Sequence, residues 1–536
     1  MTAGAAFANS LWLAGSVPAA QRFARALYQP RETQEGWLRE VVRRHESSAF
    51  GRDHDFANIR TPADFARRVP VATWDDVAPW VQRIRLGEQG VLSNDRVTHL
   101  APTSGSSGAV KSIPFTASLQ RGFDQAVCAW MCDLARQRPK LLGGRAYWSI
   151  SPLTTDDSPH DSRVTHHEGF ADDADYLGGR SAWLVRRALA VPSDIRHVRD
   201  VQAFWRLTLL ALLRSRDLRL ISVWHPSFVE LLVSEAEPSW LELVDAIDTG
   251  TCPWESHLPP AGRSHWRSRA NPERAAELRR IGSGNWSQWW PELRVLSCWG
   301  EQAAESGWRR LVRQLPDVLV QPKGLLATEG VVTIPWRGLT PLAVTSHYFE
   351  FITDQGDVIG AHQLERGQSY EVVLTNGGGL WRYRLGDMVA CSGHAHSTPT
   401  LRFLGRAGRV SDLRGEKLSE PFVATVLGAL SEGEVEPYYA ALRPHASKES
   451  AGYELLISSE WRASTDAELA DRVDRALSAN PHYAIARRLG QLGPLRVVRV
   501  DPNTSRQQLR ETSLRLGDAK PEVLLQDTDQ RSEQFT

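Results

Sequence analysis

The stretch Ala101–Thr116, APTSGSSGAVKSIPFT, gathers small, flexible and hydroxyl-bearing residues around one lysine. Glycines let the backbone turn its N–H groups onto an anion, hydroxyls add donors, and a lysine adds a point charge, so this composition suits a phosphate. One phosphate-loop pattern, G-x-x-x-x-G-K-[ST], puts Lys111 and Ser112 in register when counted from Gly105, but Val110 stands where its second glycine belongs. A β-branched residue resists the backbone conformation that glycine supplies there. A second pattern, [ST]-[ST]-G-[ST]-[ST]-G-x-x-K, is met at every position by Thr103, Ser104, Gly105, Ser106, Ser107, Gly108 and Lys111.

Three further stretches follow in order. The first, LRVLSCWGEQAAESGWRRLVRQLPDVLVQPKGLLATEG, carries Gly300-Glu301 after an apolar run and Thr328-Glu329 after a second one. Glu329 is a hard oxygen donor of the kind that suits Mg²⁺. The next, WRYRLGD, ends on Asp387, an acceptor-only carboxylate. The last, GRAGRVSDLRGEKL, carries Gly405, Arg406, Asp412, Gly415 and Leu418. Together with the loop, these stretches resemble the signature elements of adenylate-forming enzymes. The resemblance implies that the loop and Lys111 hold the β- and γ-phosphates of ATP. It implies that Gly300, Glu301 and Thr328 line the nucleotide site, with Thr328 donating to the α-phosphate and Glu329 carrying Mg²⁺. Asp387 would take both ribose hydroxyls, Arg406 would neutralise phosphate or hold ribose, and Asp412 would be the hinge of a small C-terminal domain. Two departures stand out: Leu325-Leu326 replace the usual Tyr-Gly before Thr-Glu, and Gly408-Arg409 replace an acidic pair.

Over nearly its whole length the chain resembles the auxin-responsive acyl acid–amido synthetases, and their bacterial relatives in particular. The likeness rests on FGRDHDFANIRTPADFARRVPVATWDDVAPWVQRIRLGEQGVL before the loop, on IPFT, QPKGLLATEG and YRLGD, and on LGDAKPEVLL near the end. It implies an α/β (mixed α+β) fold. A large N-terminal adenylate-forming domain would combine a barrel with helix-flanked sheets, and a small mobile C-terminal α+β domain would follow it. The polar stretch 405–420 marks the boundary, giving domains 1–410 and 411–536. The implied activity is that of an ATP-dependent carbon–nitrogen ligase. It adenylates a carboxylic acid, releasing pyrophosphate, and passes the acyl group to an amine or amino acid, releasing AMP. The resemblance assigns catalysis to Lys111, Thr328, Glu329 and Lys520, the last standing in GDAKPEV. A rival element, PNTSRQQL, puts Gln508 where a general adenylate-forming enzyme has its lysine, and an amide supplies no charge. SVWHPSF is similar to a family segment facing the acyl pocket, which makes Trp224 and His225 candidate pocket residues, with core packing and a helix start as the alternative. His166-His167 do not form the amide-forming motif H-H-x-x-x-D-G, because Asp172 falls one place too late and no glycine follows it. Transfer to a thiol, whether coenzyme A or a carrier protein, and a non-catalytic nucleotide or small-molecule binder are the alternatives. A carrier protein is not indicated by any motif.

These residues need elements to position them. Helical spacing is expected over 31–47, 117–137, 196–215, 302–314 and 464–478. Short apolar runs predict strands at LRLISVW, LRVLSCW, DVLVQ, 341–353, 369–375, 400–404, YELLISS and LRVVRV, and 251–292 reads as irregular. The 536 residues exceed what one core organises, and 42% hydrophobic with 24% charged residues is a globular composition. Sixty-three basic residues balance sixty-three acidic ones, which leaves no electrostatic footprint for nucleic acid or an anionic membrane. Five scattered cysteines fit buried thiols rather than a disulfide framework or zinc. No Lys or Arg precedes Arg22, and LTLLALL is too short to span a bilayer, so a cytoplasmic protein without a leader is expected.

Overall fold

The computed structural model describes residues 2–102, 111–150, 173–260, 262–407, 410–414, 416, 418–431, 440–446, 451–461, 464–501 and 522–525. Strands β1 (Val97–Pro102) and β2 (Ser112–Thr116) pair antiparallel, with Pro102 opposite Ser112, so the two ends of the stretch Ala101–Thr116 are clamped side by side. The expected helix Ala117–Gln137 begins directly after β2. Thr116 is its N-cap: the Thr116 hydroxyl accepts from Leu119 N–H at 3.2 Å and donates to the Gly377 carbonyl at 3.1 Å. The helix buries Leu119, Phe123 and Ala126 at helical spacing in its first half, and every residue from Cys128 to Ala135 in its second.

A four-stranded parallel sheet follows: β3 (Arg145–Trp148), β4 (Leu218–Ser222), β5 (Val295–Cys298) and β6 (Leu319–Pro322), in spatial order β3-β4-β5-β6. Its strands are near-continuous apolar runs because both faces are covered. Trp148, Leu220 and Val295 join the core beneath the helix Ala117–Gln137, while their neighbours Tyr147, Ile221 and Leu296 join a second core with Trp205, Phe228 and Trp289.

The two-residue strands β7 (Leu326–Ala327) and β8 (Gly330–Val331) flank Thr328-Glu329. Beyond them lies an antiparallel sheet of β9 (Tyr348–Ile352), β10 (Val358–Gly360), β11 (Ser369–Thr375), β12 (Tyr383–Ala395) and β13 (Thr398–Arg406), ordered β10-β9-β11-β12-β13. The register of β12 on β13 shifts between Met388 and Val389, next to Asp387, with Gly386 at φ 78° and Gly405 at φ 136°. Such irregularities re-aim side chains at the end of a ladder. The last part of the chain has its own core. The short pair β14 (Val410–Ser411) and β15 (Leu418–Ser419) leads into the helix Glu420–Gly428. A sheet β16-β17-β18 (Ala440–Ala446, Ala451–Ser458, Arg496–Val500) then packs with helices Asp466–Leu477 and Pro481–Arg488 around Tyr453, Trp461 and Tyr483.

The segment expected to be irregular contains the helix Pro272–Ile281, capped by Asn271 accepting from Arg274 N–H at 3.1 Å, with Pro272 at its first turn. The Trp, Ser and Gly residues on either side masked that short start signal. At 341–353 only Tyr348–Ile352 is a named strand; Pro341 and Leu342 make single antiparallel bridges to Thr400 and Thr333, and Ser346 lies in a turn, its hydroxyl donating to the Ala343 carbonyl at 2.6 Å.

Candidate active site

Glu329 sits at the tip of the β7–β8 turn and is only 7% exposed. Burial raises its carboxyl above the ordinary range. The nearby Arg406 and Lys111 cations pull the other way, and Asp387 adds to the rise. Those four groups therefore share one electrostatic field, although β2, the β7–β8 turn, β12 and β13 bring them from far apart in sequence.

Asp387 and Arg406 are cross-strand partners on β12 and β13, and Arg406 Nε lies 3.3 Å from Asp387 Oδ1. Asp387 is wholly buried, yet neither of its carboxylate oxygens accepts a hydrogen bond from any described residue. A buried acceptor without a donor is costly, which makes Asp387 a candidate for a ligand contact. The Arg406 guanidinium is held above its usual value chiefly by Asp387, so it remains a firm cation.

Lys111, at the exit of the phosphate-loop sequence, donates to the Tyr383 hydroxyl at 3.1 Å, with its ammonium 5.8 Å from the ring centre. Burial and the Glu329 charge push the Tyr383 phenol up, so it stays neutral and serves Lys111 as an acceptor. Arg85 donates to the Ser112 hydroxyl beside it. The loop residues Thr103, Ser104, Gly105, Ser106, Ser107 and Gly108, and Lys520, lie outside the described residues.

Gly300 and Glu301 follow β5. A Cβ on Gly300 would lie 2.9 Å from Pro322, so this approach to β6 requires glycine. Glu301 accepts from Phe403 N–H at 2.9 Å and Gln302 donates to the Phe403 carbonyl at 3.0 Å, which docks β13 against the end of the parallel sheet. Thr328 is partly exposed in the turn beside Glu329. Asp412 is exposed just after β14. Close by, Glu416 is buried and accepts from Leu413 and Arg414 N–H at 2.8 and 2.7 Å, and also from the Tyr453 hydroxyl.

Trp224 and His225 follow β4 and take different roles. Lys323, after β6, lies over the Trp224 ring at 4.6 Å. His225 is the N-cap of the helix Pro226–Ser234: its Nδ1 accepts from Ser227 N–H at 3.2 Å and lies 2.7 Å from the Ser227 hydroxyl. Burial, reinforced by Arg310, lowers His225 to about 3, so it is neutral.

Residues that sequence reasoning passed over hold this constellation together. The Asn376 side chain donates to the Glu329 carbonyl at 2.7 Å, while its oxygen accepts from Gly378 and Leu380 N–H at 2.8 and 3.1 Å. Arg382, at φ 45°, makes a two-pronged pair with Glu350 at 2.8 and 2.9 Å and donates to the Ala66 and Val69 carbonyls. The turn dipeptide Asn376-Gly377 and the arginine before Tyr383 were the signals available for them.

Residues 19–318 match the GH3 family N-terminal domain, 340–406 the central domain, and 422–528 the C-terminal domain. The chain belongs to the GH3 family. Among relatives of this GH3 protein is the probable indole-3-acetic acid-amido synthetase GH3.12 of Oryza sativa subsp. japonica, 24% identical, with 88% of this chain and 87% of that protein covered. Jasmonoyl–L-amino acid synthetase GH3.5 of the same plant is also 24% identical, covering 72% of each chain. In fold, the GH3 protein resembles GH3.15 acyl acid amido synthetase at a TM-score of 0.80, with 18% identity and 95% and 93% of the two chains covered. It resembles 2-hydroxyisobutyryl-CoA ligase in its postadenylation state at 0.53, with 13% identity over the same shares. The fold is thus the mixed α/β architecture of these ligases. No helix among the described residues is long and apolar enough to cross a membrane.

Proposed function

We propose that this GH3 protein is an ATP-dependent acyl acid–amido synthetase that makes an acyl-adenylate and then an amide with an amine or amino acid. The observation that carries the reading is the Asp387 carboxylate, buried beside Arg406 with both oxygens free of hydrogen bonds from the described residues. Two vicinal hydroxyls of a ribose match two vacant acceptors. The relatives named above are amido synthetases, and their activity accords with this site.

In the first half-reaction the substrate carboxylate attacks the α-phosphorus in line and pyrophosphate leaves. Charge makes that step difficult, since an anion approaches a polyanion, and fixed cations and donors lower the barrier. Lys111, steadied by Tyr383, and Arg406 supply cationic charge; Thr328 offers a hydroxyl to the α-phosphate. No cluster of three acidic, histidine or cysteine ligands occurs among the described residues, so a protein cage for a metal is absent there. A single hard carboxylate is nevertheless the usual protein share of an Mg²⁺ site completed by phosphates and water, and Glu329 fits it. Bound there, Mg²⁺ would neutralise phosphate charge. In the second half-reaction a neutral amine attacks the acyl carbonyl and AMP leaves. In this proposal residues 411–536 form a small domain that swings at Asp412 and brings Lys520 to the α-phosphate. Small-molecule acids and amines are the partners, and the cytoplasm is the working compartment, in keeping with five buried cysteines.

Acid-dependent exchange between ATP and pyrophosphate tests the reading, run over aryl, indolyl and aliphatic carboxylic acids with Asp387→Ala alongside. Exchange with some acid that disappears in the variant supports adenylation. Amines and thiols offered next separate amide from thioester products. Exchange with no acid, despite tight ATP binding, would favour the binding-protein reading.

A further inference from the structure

The β7–β8 hairpin that carries Glu329 is too small to hold itself. Its ladder is Leu326 opposite Val331 and Ala327 opposite Gly330, continued by Val332 N–H donating to the Leu325 carbonyl and Leu325 N–H donating to the Thr333 hydroxyl, both at 2.8 Å, and an isolated two-stranded hairpin is marginal even when longer. Three groups from elsewhere fix its backbone. Asn376 donates to the Glu329 carbonyl, as described above. Val331 N–H donates to His347 Nε2 at 3.1 Å. The Ser346 hydroxyl reaches the Val331 carbonyl at 3.4 Å.

His347 is wholly buried, and its place is set from every side. A Cβ on Gly330 would fall 2.7 Å from Nε2, and a Cβ on Gly122, in the helix Ala117–Gln137, would fall 2.7 Å from Cε1. The hairpin and the helix both need glycine to close on this ring. Gln34 ties down the backbone of His347, donating to its carbonyl at 2.6 Å while accepting from Phe349 N–H at 2.7 Å. Because Nε2 accepts, the ring proton sits on Nδ1, and the ring must be neutral to do this work.

We propose that His347 and Asn376 are positioning residues for adenylation, which fix the place of the Glu329 carboxylate by holding the two successive peptide groups on either side of Gly330, directly after Glu329, through backbone bonds. The inference rests on the role given to Glu329 above. Asn376 also ties that turn to the one leading into β12, through Gly378 and Leu380. It therefore couples Glu329 to the strand that carries Asp387.

The test is calorimetry of ATP binding with and without Mg²⁺, on the full-length protein and on Glu329→Gln, His347→Leu, His347→Gln and Asn376→Asp. In His347→Leu, Val331 N–H loses its acceptor. His347→Gln restores an acceptor near Nε2, and Asn376→Asp keeps the acceptor for Gly378 and Leu380 but removes the donor to Glu329. Loss of a supporting partner behind a metal ligand weakens metal affinity by about 10- to 100-fold. The gain in ATP affinity brought by Mg²⁺ should fall by about that factor in His347→Leu and Asn376→Asp, and stay within about threefold of wild type in His347→Gln, with metal-free ATP affinity unchanged. In the Glu329→Gln background, His347→Leu should have no further effect on the Mg²⁺ gain, a coupling that a general loss of stability would not produce. A full Mg²⁺ gain in Glu329→Gln would overturn the role of Glu329 itself. A Mg²⁺ gain lost in Glu329→Gln but retained in full in His347→Leu and Asn376→Asp would overturn the positioning inference alone. So would a loss in His347→Gln as deep as in His347→Leu, because ring volume rather than the hydrogen bond would then be what matters.

Discussion

Replacing Asp387 by Asn leaves the shape of the proposed ribose site intact and changes its hydrogen-bond character and charge. The wild-type carboxylate offers two acceptor oxygens, both buried and both without donors among the described residues. Each ribose hydroxyl that donates to a carboxylate is worth about 1.5–3 kcal/mol, against about 0.5–1.5 kcal/mol for a neutral acceptor. In the variant one acceptor becomes an NH₂ donor and the other becomes neutral, so the loss is about 2–4 kcal/mol, or about 30- to 1000-fold in nucleotide Kd. The assay is a substrate–protein cycle: Kd by calorimetry for ATP and for 2′,3′-dideoxy-ATP, each on wild type and Asp387→Asn. The dideoxy nucleotide should bind wild type weakly, and in the variant its difference from ATP should shrink to about 0.5–1.5 kcal/mol, the worth of the one neutral acceptor left. Arg406 loses its charged partner in the same variant, so the melting temperature is followed separately; a stability change alone leaves the discrimination between the two nucleotides untouched. Equal discrimination by both proteins would refute the reasoning and remove Asp387 from the ribose.

His225 gives a pH dependence with a definite sign. Its folded pKa is lowered from 6.5 to about 3 by burial, with Arg310 adding to the effect, so the unfolded chain binds the proton first. Stability from the neutral ring is present above about 6.5 and drains away as pH falls towards the folded value. Between pH 7.5 and 5.5 the wild type should lose about 1.4 kcal/mol more than His225→Asn, which keeps a capping acceptor without the titration. Denaturant unfolding at the two pH values checks this, and equal losses would show that His225 is not the group responsible. Arg382→Lys keeps the charge but loses the fork on Glu350 and the reach to Ala66 and Val69. Unfolding stability should fall by about 3 kcal/mol, as for a broken buried pair. Acid-dependent exchange should fall with it, because Arg382 adjoins Tyr383 at the head of β12; an unchanged unfolding curve would contradict this account.

Much of the fold was legible because the parallel sheet advertises itself. Strands covered on both faces must be apolar throughout, and LRLISVW and LRVLSCW had no other use for such a run. The helix Ala117–Gln137 was legible to the residue, since its apolar stripe begins directly after Thr116, a side chain that caps. The long strand β12 was not. Its thirteen residues alternate buried and exposed positions, but Gly386 and Gly393 and the polar end SGHA interrupt the pattern, and only YRLGD drew notice.

The candidate site residues stood out in the sequence for a reason that did not extend to their supports. Asp387, Glu329, Arg406 and Lys111 sit in short local patterns, where the backbone shape and the side chain are specified together within a few positions. Asn376 and His347 act on a hairpin 47 and 16 residues away, respectively, through backbone atoms that carry no sequence identity of their own. An asparagine before Gly-Gly-Gly reads as a turn, and a histidine between Ser346 and Tyr348 reads as a core residue; both readings are correct and incomplete. What gives these two their place is that a carboxylate raised by burial must still be presented at a fixed point, on a turn with too few bonds of its own. The tight approach of Gly330 and Gly122 to one imidazole ring is the mark that this demand has left in the sequence, and it becomes readable only once the turn, the helix and the ring are seen together.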